Sequence, residues 1–492
     1  MNLQLFFITA QQYFFPKKYC FLIFHTVFLF NSCNDSCSQS QKDNPTSLDK
    51  SKKLKTVRVY SHKPTGKIDK LQVLNLQKGI ENWLVSLKNK GYFPGIAVGV
   101  VIGKKLKYVR YIGYSSLNHK YEIASVTKTM TALGVMRLVE KGILDLDKPL
   151  SYYLPKVLLE KKELGSKPIL LRNLLSHTSG LPDLRYYQPK VWHSPKQTGL
   201  KYPTPEQIYP TGLHYRYSNH NFMLLGSVIE VQTKQKLKEY LEKNVFLPLG
   251  MQNTIASEDI LGAWGIQTTL PDLAKFASFW LERGVSNIGK KVLDVATIQK
   301  MFEEQTYIPF ASKKRYIGLA WRIQSDSNCV VTFFHIGGAP GVAAWVQLFP
   351  AYQAAIVYLA NPPNYENNLI GYLVALQKKL GDLAGAMVGA KESIYQFEAN
   401  KLSENEYSLY VGKFKNPLTG EQIEITTLKN YVYLKTKNNQ FKIIPDTTNV
   451  FHFPAYEFTF SSKSNQVIGF SDYKGFYGKL KTNKDFVDIY ND

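Results

Sequence analysis

Cysteine is scarce in this chain of 492 residues: four in all, at positions 20, 33, 37 and 329. With no CxxC pair among them, neither a disulfide framework nor a thiolate metal site is expected. The nine histidines form no HExxH or HxH pattern, so neither a metal nor any other cofactor is expected. Arginine is scarce as well, supplying nine of the 61 basic residues. Base readout favours arginine forks, and no basic helix or RNA-binding aromatic signature compensates, so nucleic acid is not an expected partner. Also missing is the Gly-x-Ser-x-Gly elbow, which excludes the strand-turn-helix nucleophile of the α/β-hydrolases. No ExxLN-type glutamate is present either. What there is in quantity is lysine: against 38 acidic residues it brings the net charge to +23, a surface drawn to an anionic cell envelope or another polyanion.

A chain this long exceeds one ordinary domain, and four divisions are expected. Lys17 and Lys18 precede an apolar run over residues 19–30, which ends at Asn31-Ser32-Cys33. Twelve residues fall short of the roughly 20 that cross a bilayer as a helix but suit the core of a signal peptide. Residues 1–33 therefore resemble a lipoprotein-type signal with Cys33 as the lipidated residue, and residues 34–70 a polar tether; an uncleaved anchor or plain secretion are the alternatives. The expected localisation is exported and membrane-anchored. Residues 71–395 and 396–492 are expected to form two further units.

The strongest single signal lies at residues 121–142, where Ser125 and Lys128 stand three apart at the start of an apolar helical run. Helical spacing stacks two such side chains on one face, within reach of each other. Val126, Met130, Leu133, Met136, Leu138 and Val139 supply the buried stripe, and Lys141-Gly142 its end. Serine hydroxyls are poor nucleophiles without a neighbouring base, and a lysine serves when burial or nearby positive charge favours its neutral form. The same four-residue pattern at Ser47/Lys50 and Ser471/Lys474 begins no amphipathic helix. The plainer alternative for Ser125 is a helix cap followed by a solvated lysine.

Ahead of this stretch, Ile80, Trp83, Leu84 and Leu87 mark a helix over residues 74–90, and residues 95–102 and 106–112 a β-hairpin. Beyond it, a short helix ends in His177-Thr178-Ser179-Gly180; His177 reads better as a histidine tying down a turn than as a base. Tyr217-Ser218-Asn219 opens another apolar helix, and a Tyr-x-Asn copy at 365–367 follows two prolines in an exposed helix entry. Thr268, Thr269 and Asp272 lead into a helix ending near residue 280. His335-Ile336-Gly337-Gly338 falls between strand-like residues 329–334 and 342–349, either as a plain turn or as glycines that let another backbone approach. Residues 402–489 hold short alternating segments, at 422–426, 431–436 and 458–460, and read as a small β-barrel or sandwich.

Taken in order, Ser125-Val-Thr-Lys128, Tyr217-Ser-Asn219 and His335-Ile-Gly337 resemble the motifs of the penicillin-recognising serine hydrolases: class C β-lactamases, D-Ala-D-Ala peptidases and family VIII esterases. The resemblance covers roughly residues 70–380. It implies an α+β fold of the β-lactamase/transpeptidase type, an antiparallel sheet flanked by helices plus an all-helical region, with the site between them. It also implies roles: Ser125 as nucleophile, Lys128 as base, Tyr217 as proton shuttle, Asn219 holding Lys128 and the substrate amide. Backbone N–H groups of Ser125 and Gly338 would form the oxyanion hole. His335 and Gly337 would position substrate, but class C enzymes carry lysine in place of His335, and a histidine is charged only at lower pH or beside an acid. The C-terminal segment resembles the lipocalin-like domain appended to many of these hydrolases.

The expected activity is acyl transfer through a Ser125 acyl-enzyme, on an amide or ester such as a D-amino-acid peptide or a small ester, with weak β-lactam binding. Two other readings carry different expectations. A catalytically silent envelope module that binds peptidoglycan-like ligands would be indifferent to loss of Ser125. A lysine-rich scaffold on anionic polymer would lose binding in salt and ignore all three motifs.

Overall fold

The computed structural model describes residues 66–157, 159, 167–183, 192–193, 195–207, 209–213, 215–308, 315–325, 330–363, 369–390 and 393–395. In the C-terminal part it describes 411–415, 422–428, 431–435, 440–445, 450–453, 456–463, 466–472 and 475–479. The signal-like segment with Cys33, the tether up to residue 65, Cys329 and the Tyr-x-Asn copy at 365–367 lie outside the described residues.

Helix α1 (Lys70–Asn89) begins at the carboxylate of Asp69, which accepts the N–H groups of Leu71 and Gln72 at 2.9 and 3.1 Å. It starts four residues before the apolar stripe reveals it, because Leu71 and Leu74 in its first turns face solvent. Strands β1 (Gly95–Ile102) and β2 (Lys105–Gly113) form the expected hairpin. The sheet is completed by β3 (Thr306–Tyr307), β4 (Arg315–Ile317), β5 (Arg322–Ser325), β6 (Val331–Ala339), β7 (Val342–Phe349) and β8 (Ala354–Ala360). All eight strands are antiparallel, in the order β2-β1-β8-β7-β6-β5-β4-β3.

Both faces of this sheet are covered, so its central strands read as continuous apolar runs rather than alternating ones. Along β1, Ile96, Val98 and Val100 enter a core with Ile80, Leu84 and Leu87 of α1 and Leu376, Leu380 and Leu383 of α5 (Leu369–Met387). Ala97 and Val101 enter a larger core on the other face, with Phe276, Phe279 and Trp280 of α4 (Leu270–Leu281). Thr269 caps α4 by accepting the N–H of Asp272. The larger core also takes in α2 (Thr127–Glu140) and α3 (Asn219–Thr233). Nearly all of α2 is buried, Met130, Leu133 and Met136 completely. Burying each such side chain contributes about 1.5–3 kcal/mol, which anchors the residues at the head of α2 in the molecule's centre.

The C-terminal strands are β9 (Gly412–Lys415), β10 (Gln422–Leu428), β11 (Tyr431–Lys435), β12 (Gln440–Pro445), β13 (Val450–Phe453), β14 (Tyr456–Lys463), β15 (Gln466–Asp472) and β16 (Gly475–Lys479). Each pairs antiparallel with the next, and β9 closes on β16 through Phe414 and Lys479. Closure removes every sheet edge and decides for a barrel over a sandwich. Ser471 of the third Ser-x-x-Lys copy lies in β15, in no helix. Among the described residues no helix is long and apolar enough to cross a membrane, and no cluster of three metal-ligating side chains occurs.

Candidate active site

The nucleophile turn is built from both ends. Tyr121 and Glu122 pair with Thr268 and Gln267, and the N–H of Ile123 donates to Ile266 O at 3.0 Å. Ala124 then takes φ 43°, a left-handed conformation that costs a non-glycine residue about 1–2 kcal/mol. A 3-10 turn over Ala124–Val126 carries Ser125, and α2 follows directly. Strand β6 passes close by: a Cβ at Gly337 would come 2.0 Å from Ile123 O, so only glycine fits there. The glycines are therefore not a turn. Strand β6 runs on through them to Ala339, with Gly337 opposite Ala344 and Gly338 opposite Ala343. On its other side β5 pairs only as far as Phe334, opposite Arg322. Gly338 stands one residue beyond the contact with the nucleophile turn.

Lys128 is fully buried, and its three possible N–H donors meet three acceptors. They are Ser125 Oγ at 3.0 Å, Asn219 Oδ1 at 2.7 Å and the carbonyl oxygen of Ala263 at 2.9 Å. Tyr217 Oη donates to Ser125 Oγ at 2.8 Å, and its ring centroid lies 5.1 Å from Lys128 Nζ. Ser125, Lys128, Tyr217 and Asn219, from two separate stretches of sequence, thus share one hydrogen-bonded cluster. Two titratable side chains flank the serine oxygen.

Asn219 is oriented from behind. Its Nδ2 donates to both carboxylate oxygens of buried Asp183 at 3.1 Å, which turns the carbonyl end toward Lys128. Asp183, in the Leu-Pro-Asp that follows the His177 turn, carries no motif of its own and was missed by sequence reasoning. The same holds for Ala263, which contributes only a backbone atom, and for Trp264 beside it, 42% exposed next to the lysine's anchor.

His177 is a fastener. Its carbonyl accepts the N–H of Arg216 at 2.7 Å and its Nδ1 accepts the N–H of Ser218 at 3.2 Å, bracketing Tyr217 on both sides. Its ring lies against that of Tyr217 at a centroid distance of 4.4 Å. Burial, with Lys128 and His335 contributing, holds its pKa well below the usual histidine range, so it remains neutral. Its surrounding loop is tied to α3 by Ser179 Oγ to Asn221 Oδ1 and Ser218 Oγ to Pro182 O, at 2.5 and 2.8 Å.

His335, 4% exposed, donates from Nδ1 to Ile336 O at 2.9 Å. Burial first, then the charges of Arg322 and Lys128, press its pKa far down. A neutral imidazole here cannot serve as the permanent cation that lysine provides. The positive charge beside the third motif belongs instead to Arg322, at the end of β5 where pairing with β6 stops. It lies in the Trp-Arg-Ile segment, whose sequence shows no such role.

Known proteins resemble this chain to differing degrees. The chain is 23% identical over 408 residues to penicillin-binding protein 4* of Bacillus subtilis (strain 168), covering 73% of this chain and 88% of that one. To protein flp of Staphylococcus aureus (strain NCTC 8325 / PS 47) it is 30% identical over 307 residues, 55% of this chain and 60% of that protein. The fold is shared with a class C β-lactamase solved in complex with cefoxitin, at a TM-score of 0.50 and 20% identity over 63% of this chain and 98% of that one. The model of the Beta-lactamase family matches residues 80–377, well over half the chain, and this protein belongs to that family.

Proposed function

We propose that the protein is a serine hydrolase that forms an acyl-enzyme on Ser125, with an amide or ester of a D-amino-acid peptide or a small ester as substrate. The observation that carries this is the pair of bonds on one serine oxygen, from Lys128 Nζ and Tyr217 Oη. Membership of a serine acyl-transfer family supports it.

In the first half-reaction Ser125 Oγ attacks the carbonyl carbon and its proton passes to Lys128 Nζ in the neutral form. Charge gathers on the carbonyl oxygen, which the N–H groups of Ser125 and Gly338 receive. Tyr217 Oη protonates the leaving amine or alcohol as the C–N or C–O bond breaks, and Lys128 returns the proton to Tyr217. Water then takes the leaving group's place, releasing a carboxylic acid and restoring the serine hydroxyl. Arg322 supplies the positive charge for an acidic substrate end, such as a peptide carboxylate.

The test is labelling with a fluorophosphonate and a fluorescent penicillin. Wild type is expected to take up at least the first, and Ser125→Ala neither. Equal labelling of both proteins would sink the assignment, and a wild type inert to every acyl donor would favour the silent binding module.

A further inference from the structure

We propose that Glu122 is a positioning residue for the nucleophile: its carboxylate pins the turn that carries Ser125 to the loop that holds Lys128. The inference rests on the acyl-transfer reading and adds to it a part that no motif contains. One carboxylate oxygen, Oε1, accepts the N–H of Gly265 at 3.1 Å, and the N–H of Ala124 adds to the field that favours its charged form. Ala124 immediately precedes Ser125. Gly265 follows two residues after Ala263, whose carbonyl receives Lys128 Nζ at 2.9 Å. Within the same loop, Gly262 O accepts Thr131 Oγ1 of α2 at 2.8 Å.

Ala124, two residues beyond Glu122, is held at φ 43°, an unfavourable conformation for a residue with a side chain. Such conformations persist only where the surroundings hold them. The carboxylate itself is held by the short strand pairing of Glu122 with Gln267. No lysine, arginine or histidine among the described residues forms an ion pair with it. Burial raises its pKa against the pull of the backbone N–H groups of Gly265 and Ala124, with no charged side chain contributing. A partly buried carboxylate that springs from the strand leading into Ser125 and bonds the backbone of the loop that receives Lys128 ties together the two sides of the Ser125–Lys128 contact.

A simple loop staple would affect stability, whereas a positioning residue affects the rate once the reagent is bound. The experiment is phosphonylation of the purified full chain by a fluorophosphonate, with the maximal inactivation rate and the reversible binding constant measured separately. Glu122→Gln keeps the size but removes one acceptor and adds a donor facing an N–H. It is expected to lower the maximal rate about ten-fold, the kinetic equivalent of one lost hydrogen bond, with binding changed less than two-fold. Glu122→Asp, which keeps the carboxylate but is one methylene shorter and so holds Gly265 less well, is expected to fall between and serves if the glutamine variant fails to fold. Adding Ala124→Gly to Glu122→Gln should recover part of the rate, because glycine takes the left-handed turn without the clamp.

A Glu122→Gln or Glu122→Asp protein that reacts at the wild-type maximal rate would overturn the positioning role alone. So would a fall confined to melting temperature and binding. A wild type that never reacts at Ser125 would instead remove the acyl-enzyme reading, and this role with it.

Discussion

Lowering the pH from 7.5 to 5 is expected to destabilise the fold through one residue that takes no part in the chemistry, His220. It is 1% exposed in the first turn of α3, with its ring edge-on to Tyr202 and Nε2 3.4 Å from Pro203 O. Burial pushes its pKa down to about 4, against the opposing pull of the Pro203 carbonyl and Asp183. In the unfolded chain the imidazole titrates near its ordinary value of about 6.5. A lowered folded value means that the unfolded state binds the proton more readily. The stabilisation is therefore complete above about pH 6.5 and is lost as pH falls toward 4. At pH 5 the unfolded side chain is almost wholly protonated and the folded one scarcely so, a difference of about 2 kcal/mol, approaching about 3.4 kcal/mol below pH 4. His220→Phe keeps a ring of similar size and removes the titration. Urea unfolding of both proteins between pH 7.5 and 5 should show wild type losing about 2 kcal/mol more than the variant. His177 and His335 are present in both and cancel. Parallel curves, agreeing within about 0.5 kcal/mol across the range, would refute the reasoning.

Tyr217→Phe removes the hydroxyl from Ser125 while keeping the ring beside His177, and should lower turnover of a nitrophenyl ester by about 100-fold or more with the melting temperature unchanged. A loss below about three-fold would remove Tyr217 from the proton path. His335→Lys places a cation in a buried position already flanked by Arg322 and Lys128, and should cost about 2 kcal/mol or more at pH 7 by urea unfolding without conferring nitrocefin turnover. Unchanged stability together with nitrocefin hydrolysis would contradict that electrostatic picture.

What the sequence disclosed depended on how locally each feature is encoded. The head of α2 was legible because Ser125, Lys128 and their apolar stripe fall within one helix period. Its entry was not, since a left-handed alanine leaves no compositional trace. Strand β6 was expected to end at Phe334, glycine being a poor strand former; it continues because Gly337 meets the Ile123 carbonyl and pairs with Ala344. His177 was rightly read as a turn fastener, though not that it brackets Tyr217. Asp183 and the Ala263 carbonyl act across 36 and 135 positions of sequence, on Asn219 and Lys128, and no local window contains such pairings.

The three acceptors around Lys128 bear on how this chain could lose its activity by drift. One side chain bolts together α2, the head of α3 and the Ala263 loop, so replacing it leaves buried oxygens on two of these segments without a donor. The hydroxyl of Tyr217 donates to Ser125, and its loss leaves the lysine's bonds to Asn219 and Ala263 in place. A lineage retained only for binding would therefore shed the tyrosine hydroxyl well before the lysine. The presence of Lys128 in a relative is weak testimony to catalysis, and the presence of the tyrosine is the better witness.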